Sequence, residues 1–244
     1  MPPAPGPAKA ATPIGDHSRM RRALHVLSIA LITAGVVLLI DVGMTLAWQE
    51  PLSTIYGSIQ QGRAEDELAE LEEAFPSIAD AGAVESQADL RRQARLLADR
   101  YEDEVSAGTG IGRIEIESAN VDAVIVEGTG TATLQKGPGR YPETAFPGQG
   151  RTVGIAGHRT TYGAPFRHID DIEDGDEIEV QMPYANFTYE VSKHEVVEPS
   201  DVQIIDDVGY EQLVLTACHP LYSAAQRWAV FARLVEVSLP ANGG

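Results

Sequence analysis

The chain has 244 residues, 43% of them hydrophobic, with 36 acidic against 18 basic side chains and a formal charge of -18. That balance argues against a nucleic-acid partner, which would leave a basic footprint. One cysteine excludes an intramolecular disulfide and every zinc pattern built on two or four cysteines, and a chain of this length can close a core without such staples.

Residues 1–22 are rich in Pro and Ala, lack periodicity and read as a disordered tail; Lys9, Arg19, Arg21 and Arg22 there outweigh Asp16. Residues 23–48 are apolar on every face and, at 1.5 Å rise per residue, long enough to cross a hydrocarbon core of about 30 Å. The basic flank predicts that the tail stays in the cytoplasm and that the rest of the protein lies outside. A cleaved signal peptide starts in a similar way, but this stretch is longer than a signal core and has no small-x-small site at its end, so an uncleaved single-pass anchor is expected. No cysteine lies near its end, which excludes a lipoprotein anchor. Asp41 sits near the outer end of the span, where tilt, water or neutralisation relieves its charge, with a partner-helix or regulatory role as the other reading.

Residues 60–76 and 88–104 are good helix formers, with Leu68, Leu71 and Phe75 sharing a face in the first and Leu90, Leu97 and Tyr101 spaced along the second. Residues 49–107 are therefore expected to form an extracellular helical stalk or spacer without chemistry of its own. From about Gly108 the period shortens. Runs at 111–116, 123–126, 152–156, 177–180, 187–191, 212–216 and 228–235 are rich in Val, Ile and aromatic residues and are separated by Gly, Pro, Asp and Asn turns. Residues 108–240 thus read as a mainly β unit, a barrel or a sandwich, with no helical stretch long enough for a βαβ repeat and with a flexible end at 241–244.

Two predicted strands end in reactive side chains. VGIAGHRTTYG (153–163) delivers His158, and LVLTACHP (213–220) delivers Cys218. Thiolate, not thiol, attacks a carbonyl; a nearby imidazolium lowers the thiol pKa by favouring the anion, and its proton can then be given to the leaving amine, while the starting protonation of such a pair stays open at the level of sequence. Arg227, at the start of the next predicted strand, carries a permanently charged planar fork suited to an oxyanion. A buried filler cysteine and a surface arginine remain the alternative from the residues alone.

The segment LVLTACHPLYSAAQRWAVFARL resembles the sortase signature, in which Thr-Leu-x-Thr-Cys ends one strand and an Arg opens the next, in the form of the actinobacterial class E sortases. VGIAGHRTTYGAPFRHIDDIED is similar to the histidine segment of that class, and DVGMTLAWQEPLSTIYG to its membrane-exit segment. The resemblance implies a closed or nearly closed eight-stranded β-barrel with short helices and long loops. It also implies a cysteine transpeptidase with Cys218 as nucleophile, His158 as catalytic histidine and Arg227 as the substrate-binding and oxyanion-stabilising arginine. By the same resemblance the substrate is a secreted protein with a Leu-Pro-x-Thr-Gly-like or Leu-Ala-x-Thr-Gly-like C-terminal sorting motif, cut between Thr and Gly. The Thr carboxyl passes through a thioester to an amine of a cell-wall peptide precursor, with hydrolysis as a side activity; polymerising pilins is the alternative use of the same chemistry.

Val214 stands at the first Thr of the signature and Ala217 at the residue before the cysteine, where a hydroxyl is common. Tyr162, Thr161, Phe166 and Thr216 are candidate substrate contacts, with loop packing as the other reading for Tyr162 and Phe166. His219 follows the nucleophile but faces the other way by alternation; His168 begins an acidic turn, and His17, His25 and His194 lie away from both motifs. Asp170, Asp171, Glu173, Asp174 and Asp176 lack calcium-loop spacing, so neither metal nor cofactor is expected. An L,D-type transpeptidase would place Ser-x-Gly before its cysteine, and a papain-like protease would place Cys before His. A membrane-tethered β domain that only binds a ligand is the competing non-enzymatic reading.

Overall fold

The computed structural model describes residues 17–48, 51–81 and 86–240, and the chain divides into two compact units, residues 1–48 and 49–244. Most of the expected disordered tail and the expected flexible end fall on residues 1–16 and 241–244, outside the described residues. Residues 17–22, assigned to the tail by composition, instead open a helix.

The first unit is helix α1 (His17–Trp48). Within it the 24 residues Met20–Gly43 have a mean hydropathy of 2.5 and bury nothing, so the helix is long and apolar enough to cross a membrane. Leu24, Val26, Leu27 and Ile32 point to different sides and are all exposed, as expected of a helix whose whole circumference meets lipid. Asp41 lies close to the end of the apolar stretch.

The second unit holds helices α2 (Pro51–Ala74), α3 (Gln87–Glu104) and α4 (Thr131–Leu134). Its strands are β1 (Gly110–Ile116), β2 (Val121–Glu127), β3 (Gly139–Arg140), β4 (Val153–Gly157), β5 (Glu177–Met182), β6 (Ala185–Val197), β7 (Gln212–His219) and β8 (Gln226–Ser238). They close into an eight-stranded barrel in the order β1-β2-β3-β4-β7-β8-β6-β5. β2–β3 and β4–β7 are parallel neighbours and the other pairs antiparallel.

Alternation explains the core. Along β7, Leu213, Leu215 and Ala217 join the main apolar cluster with Ile155, Phe187 and Val230, while Val214 turns to the other face against Ala229 and Phe231. Ile204 and Ile205, in a short 3-10 turn between β6 and β7, cover that second face. β7 is therefore buried on both sides, which is why it reads as a nearly unbroken apolar run.

Residues 49–107 do not form a spacer independent of the barrel. Ala64 and Leu68 of α2 pack on Val124 and Val126 of β2. Gln61 closes the edge of β2: its amide donates to the carbonyls of Lys136 (2.5 Å) and Val124 (3.1 Å) and accepts the Val124 N–H (2.8 Å). On α3, Ala94, Ala98 and Tyr101 enter the main core, and the Tyr101 hydroxyl donates to the Ile111 carbonyl at 3.0 Å. The apolar faces read from the sequence are the ones that pack, on the barrel and, where Phe75 meets Tyr101 edge to face at 5.0 Å, on each other.

Candidate active site

β4 and β7 run parallel in register from Val153 opposite Leu213 to Gly157 opposite Ala217. The next residue on each chain segment is His158 or Cys218, so the two lie at the same end of adjacent strands. β8 runs antiparallel to β7 with Arg227 opposite Cys218. Strand register alone thus brings the three predicted residues to one rim of the barrel.

His158 is half-buried, and burial holds its imidazole below the ordinary 6.5, which favours the uncharged form near neutral pH. Its Nε2 is buried and has no hydrogen-bond partner among the described residues. The His158 carbonyl accepts the Phe166 N–H at 3.0 Å, which folds the following loop back over the strand end. Cys218 is a free, half-buried thiol. Arg227 anchors one nitrogen, Nη1, on the carbonyls of Ala224 (3.0 Å) and Gln226 (2.9 Å).

Alternation along β7 puts Thr216 and Cys218 on one face and Ala217 on the other, and Ala217 is 3% exposed in the barrel interior. Its methyl group is part of the core packing, so the missing hydroxyl there removes nothing from the open face. Thr216 is itself buried, with its hydroxyl 2.9 Å from that of Tyr141. Phe166 is fully buried and fills the space over Gly157, where a Cβ would stand 2.4 Å from the Phe166 ring. As placed, Thr216 and Phe166 support the site from beneath rather than offer a surface to substrate. Thr161 is half-buried, and its carbonyl accepts the Ala164 N–H at 2.9 Å. Tyr162 accepts a hydrogen bond from Gln135 at 3.2 Å and lines a cleft of about 560 Å³ between α2, the β1–β2 turn and the loop after His158. Neither His158 nor Cys218 lines that cleft.

The other histidines of the second unit have other contacts. His219 tilts against Trp228 at 5.3 Å between ring centres, and His194 stacks on Trp228 at 5.3 Å. His168 is exposed beside Asp171 at 3.0 Å. In the acidic turn Asp176 accepts the Glu173 N–H at 2.9 Å, and Asp170 is paired with Arg159.

Arg159 is a residue at this rim that sequence did not single out. It is 3% exposed, pairs with Asp170, and donates to the carbonyls of Arg167 (3.3 Å) and of Cys218 itself (3.4 Å). Burial alone would raise the Asp170 carboxyl, but the hydrogen bond and charge of Arg159 outweigh it and hold the group below its ordinary value. The histidine loop and the cysteine strand end are thus tied by one buried guanidinium. Arg159→Met is expected to cost about 1.5–3 kcal/mol of stability in urea unfolding, because a charged donor is lost. Arg159→Lys should recover little of this, since one ammonium cannot span three acceptors in the same geometry. Unfolding midpoints equal to wild type in both variants would show that the tie is not needed.

The sequence profile of the Sortase domain matches residues 114–235, half of the chain. Sortase D of Bacillus subtilis is 33% identical over 132 residues, 52% of this chain and 65% of that one. Sortase SrtE1 of Streptomyces coelicolor is 32% identical over 145 residues, 53% of this chain and 41% of that one. A crystal structure of the latter with a tripeptide in the active site matches with a TM-score of 0.53, covering 57% of this chain and 97% of that one, at 31% identity. A Clostridium perfringens sortase D5 transpeptidase matches with a TM-score of 0.57 and 26% identity, covering 72% of this chain and 98% of that one. The chain spans less than two thirds of the full length of the two curated relatives. The streptomycete match agrees with the class E resemblance of the histidine and cysteine segments. With the barrel, the strand ends and the profile match in accord, the chain belongs to the sortase family.

Proposed function

We propose that the protein is a membrane-anchored cysteine transpeptidase that cuts a Leu-Pro-x-Thr-Gly-like or Leu-Ala-x-Thr-Gly-like sorting motif between Thr and Gly and joins the Thr to an amine of a cell-wall precursor. The observation that carries the reading is the strand register, which sets His158, Cys218 and Arg227 at one rim, with the imidazole neutral and its buried Nε2 unpartnered. Neutral His158 takes the Cys218 proton as Sγ attacks the Thr carbonyl carbon. The oxyanion that forms is met by the Arg227 fork. The C–N bond breaks as His158 returns the proton to the leaving Gly amine, and a thioester remains. The acceptor amine attacks that carbonyl, its surplus proton goes to His158, the C–S bond breaks, and the thiolate regains the proton. Water in place of the amine gives hydrolysis.

The basic residues before the apolar stretch, Lys9, Arg19, Arg21 and Arg22, support an N-terminus in the cytoplasm and a barrel outside the membrane. Secreted proteins with a sorting signal then meet the enzyme as they emerge.

The test uses the full chain in detergent micelles with Leu-Pro-x-Thr-Gly and Leu-Ala-x-Thr-Gly peptides, with and without triglycine, followed by mass spectrometry. Joining of triglycine to the new Thr end is expected. If neither peptide is cut while Cys218 alkylates readily, the motif is wrong; an inert Cys218 in a folded protein leaves a binding domain instead. A second expectation concerns pH. Because burial lowers the His158 pKa, the acid limb of kcat/KM should have its midpoint below 6.5. A midpoint above that value would mean that the imidazolium is stabilised, contrary to its surroundings here.

A further inference from the structure

We propose that α2 is a positioning element for His158, acting through Tyr162, and that Gly57 is the residue that allows it. This rests on the reading of His158 as the base.

The loop after His158 is held in an unusual shape. Tyr162, Gly163 and Ala164 have φ values of 53°, 78° and 45°, three left-handed residues in succession. For Tyr and Ala that conformation costs about 1–2 kcal/mol each and persists only where the surroundings fix it. Part of what fixes it is local: the Ala164 N–H reaches the Thr161 carbonyl at 2.9 Å, and Ala164 is 4% exposed. The rest comes from α2.

At Gly57 the helix backbone presses directly on this loop. A Cβ there would stand 2.6 Å from the Tyr162 carbonyl carbon, 2.7 Å from its oxygen and 3.0 Å from the Gly163 nitrogen. A glycine inside a helix costs about 0.5–1 kcal/mol relative to alanine, and here it allows an approach that no other residue permits. One residue earlier, Tyr56 meets Tyr162 edge to face at 6.1 Å. Tyr162 is therefore gripped by α2 on the backbone and on the ring, and Gln135 holds its hydroxyl.

The other neighbour of the Tyr162 ring is His158, 5.3 Å away and tilted by 39°. Since Nε2 of His158 has no hydrogen-bond partner among the described residues, packing against Tyr162 orients this ring where a hydrogen bond to that nitrogen does not. The line of contact runs from α2 through Tyr162 to the imidazole. It gives a helix expected to be a plain spacer a part in setting the base.

The test compares full-length wild type with Gly57→Ala, Gly57→Leu, Tyr162→Ala, Tyr162→Phe and the control Gly62→Ala, whose added methyl meets open space on the same helix. Four quantities are read: kcat and KM for the sorting peptide, thermal midpoint, and the His158 ring resonance in protein carrying ¹³C-labelled histidine. In Gly57→Leu, kcat should fall about 10–100-fold, because small misplacement of a reacting group costs that much, while KM stays within about twofold. The His158 resonance should move as the Tyr162 ring current shifts, with those of His194 and His168 unchanged. Tyr162→Phe should recover most of the rate lost in Tyr162→Ala. Gly57→Leu combined with Tyr162→Ala should be no slower than the slower single variant, since both break one contact line. Gly57→Ala stands in if the leucine variant does not fold.

An unmoved His158 resonance in a folded Gly57 variant overturns the proposal, and so does a change confined to KM. If wild type cuts no peptide, the substrate reading fails by itself, and the resonance still decides whether α2 reaches His158.

Discussion

Replacing Cys218 with alanine is expected to lower peptide cleavage by about 10⁴–10⁶-fold and to remove the thioester species entirely, because every bond change in the proposed reaction passes through Sγ. His158→Gln should cost nearly as much, and the double variant little more than either alone, since a nucleophile without its base is already disabled. Arg227→Lys keeps the charge but loses the planar fork and should cost about 10²–10³-fold, the loss seen when one oxyanion donor is removed. Quenched-flow mass spectrometry of the full-length protein would read all three, with the acyl-enzyme present in wild type and absent in Cys218→Ala. Substantial turnover by Cys218→Ala would move the chemistry elsewhere in the molecule. Equal rates for Arg227→Lys and wild type would assign the oxyanion to backbone donors.

Arg140→Met is expected to destabilise the barrel by about 3–5 kcal/mol, the loss that follows when one partner of a buried ion pair is removed. Arg140 on β3 and Glu127 at the end of β2 are 4% and 7% exposed and meet in a two-pronged contact, Nε to Oε2 at 2.7 Å and Nη2 to Oε1 at 2.6 Å. The same guanidinium donates to the carbonyls of Tyr141 (3.2 Å) and Thr144, and lies 3.9 Å over the Phe146 ring. Its removal leaves a carboxylate and backbone acceptors buried without their donor. It also loosens β3, whose pairing with Ile155 carries β4 toward His158. Urea unfolding of the full chain measures the loss. Removing both charges, as Glu127→Leu with Arg140→Met, should recover a large part of it, since no charge is then stranded. A loss below about 1 kcal/mol for Arg140→Met would mean that the pair behaves like one at the surface.

The contrast between Cys218 and Arg159 shows how far the sequence can be read. Cys218 and His158 end strands whose Val, Ile and Leu content is visible, and once both strands are known only their pairing remains to be found. Seven of the eight strands lie where such runs occur. The exception, β3, has two residues, Gly139 and Arg140, and no pattern fits in so short a span. β6 continues to Val197, beyond the expected 191, because its second half follows β8 with side chains exposed on a sheet that is solvated there. Arg159 stood in the open as a polar residue after a histidine. Its partners, Asp170 and the carbonyl of Cys218, come from a turn that reads as solvated acid and from a strand far along the chain. The apolar faces of α2 and α3 were equally plain, but a stripe on a helix does not say what covers it. Only the closed barrel, with Val124 and Val126 turned outward, supplies the surface.

The parallel pairing of β4 and β7 has a consequence for how the molecule matures. Parallel neighbours cannot be joined by a hairpin. The connection between them here includes β5 and β6, which close the other side of the barrel against β1 and β8. His158 and Cys218 thus come together only after much of the intervening chain has found its place, and such non-local contacts form slowly. During refolding, burial of the tyrosines followed by fluorescence should precede the appearance of peptide cleavage. The thiol of a half-made barrel has no base beside it, so the chain acquires its reactivity as one of the last events of its own assembly.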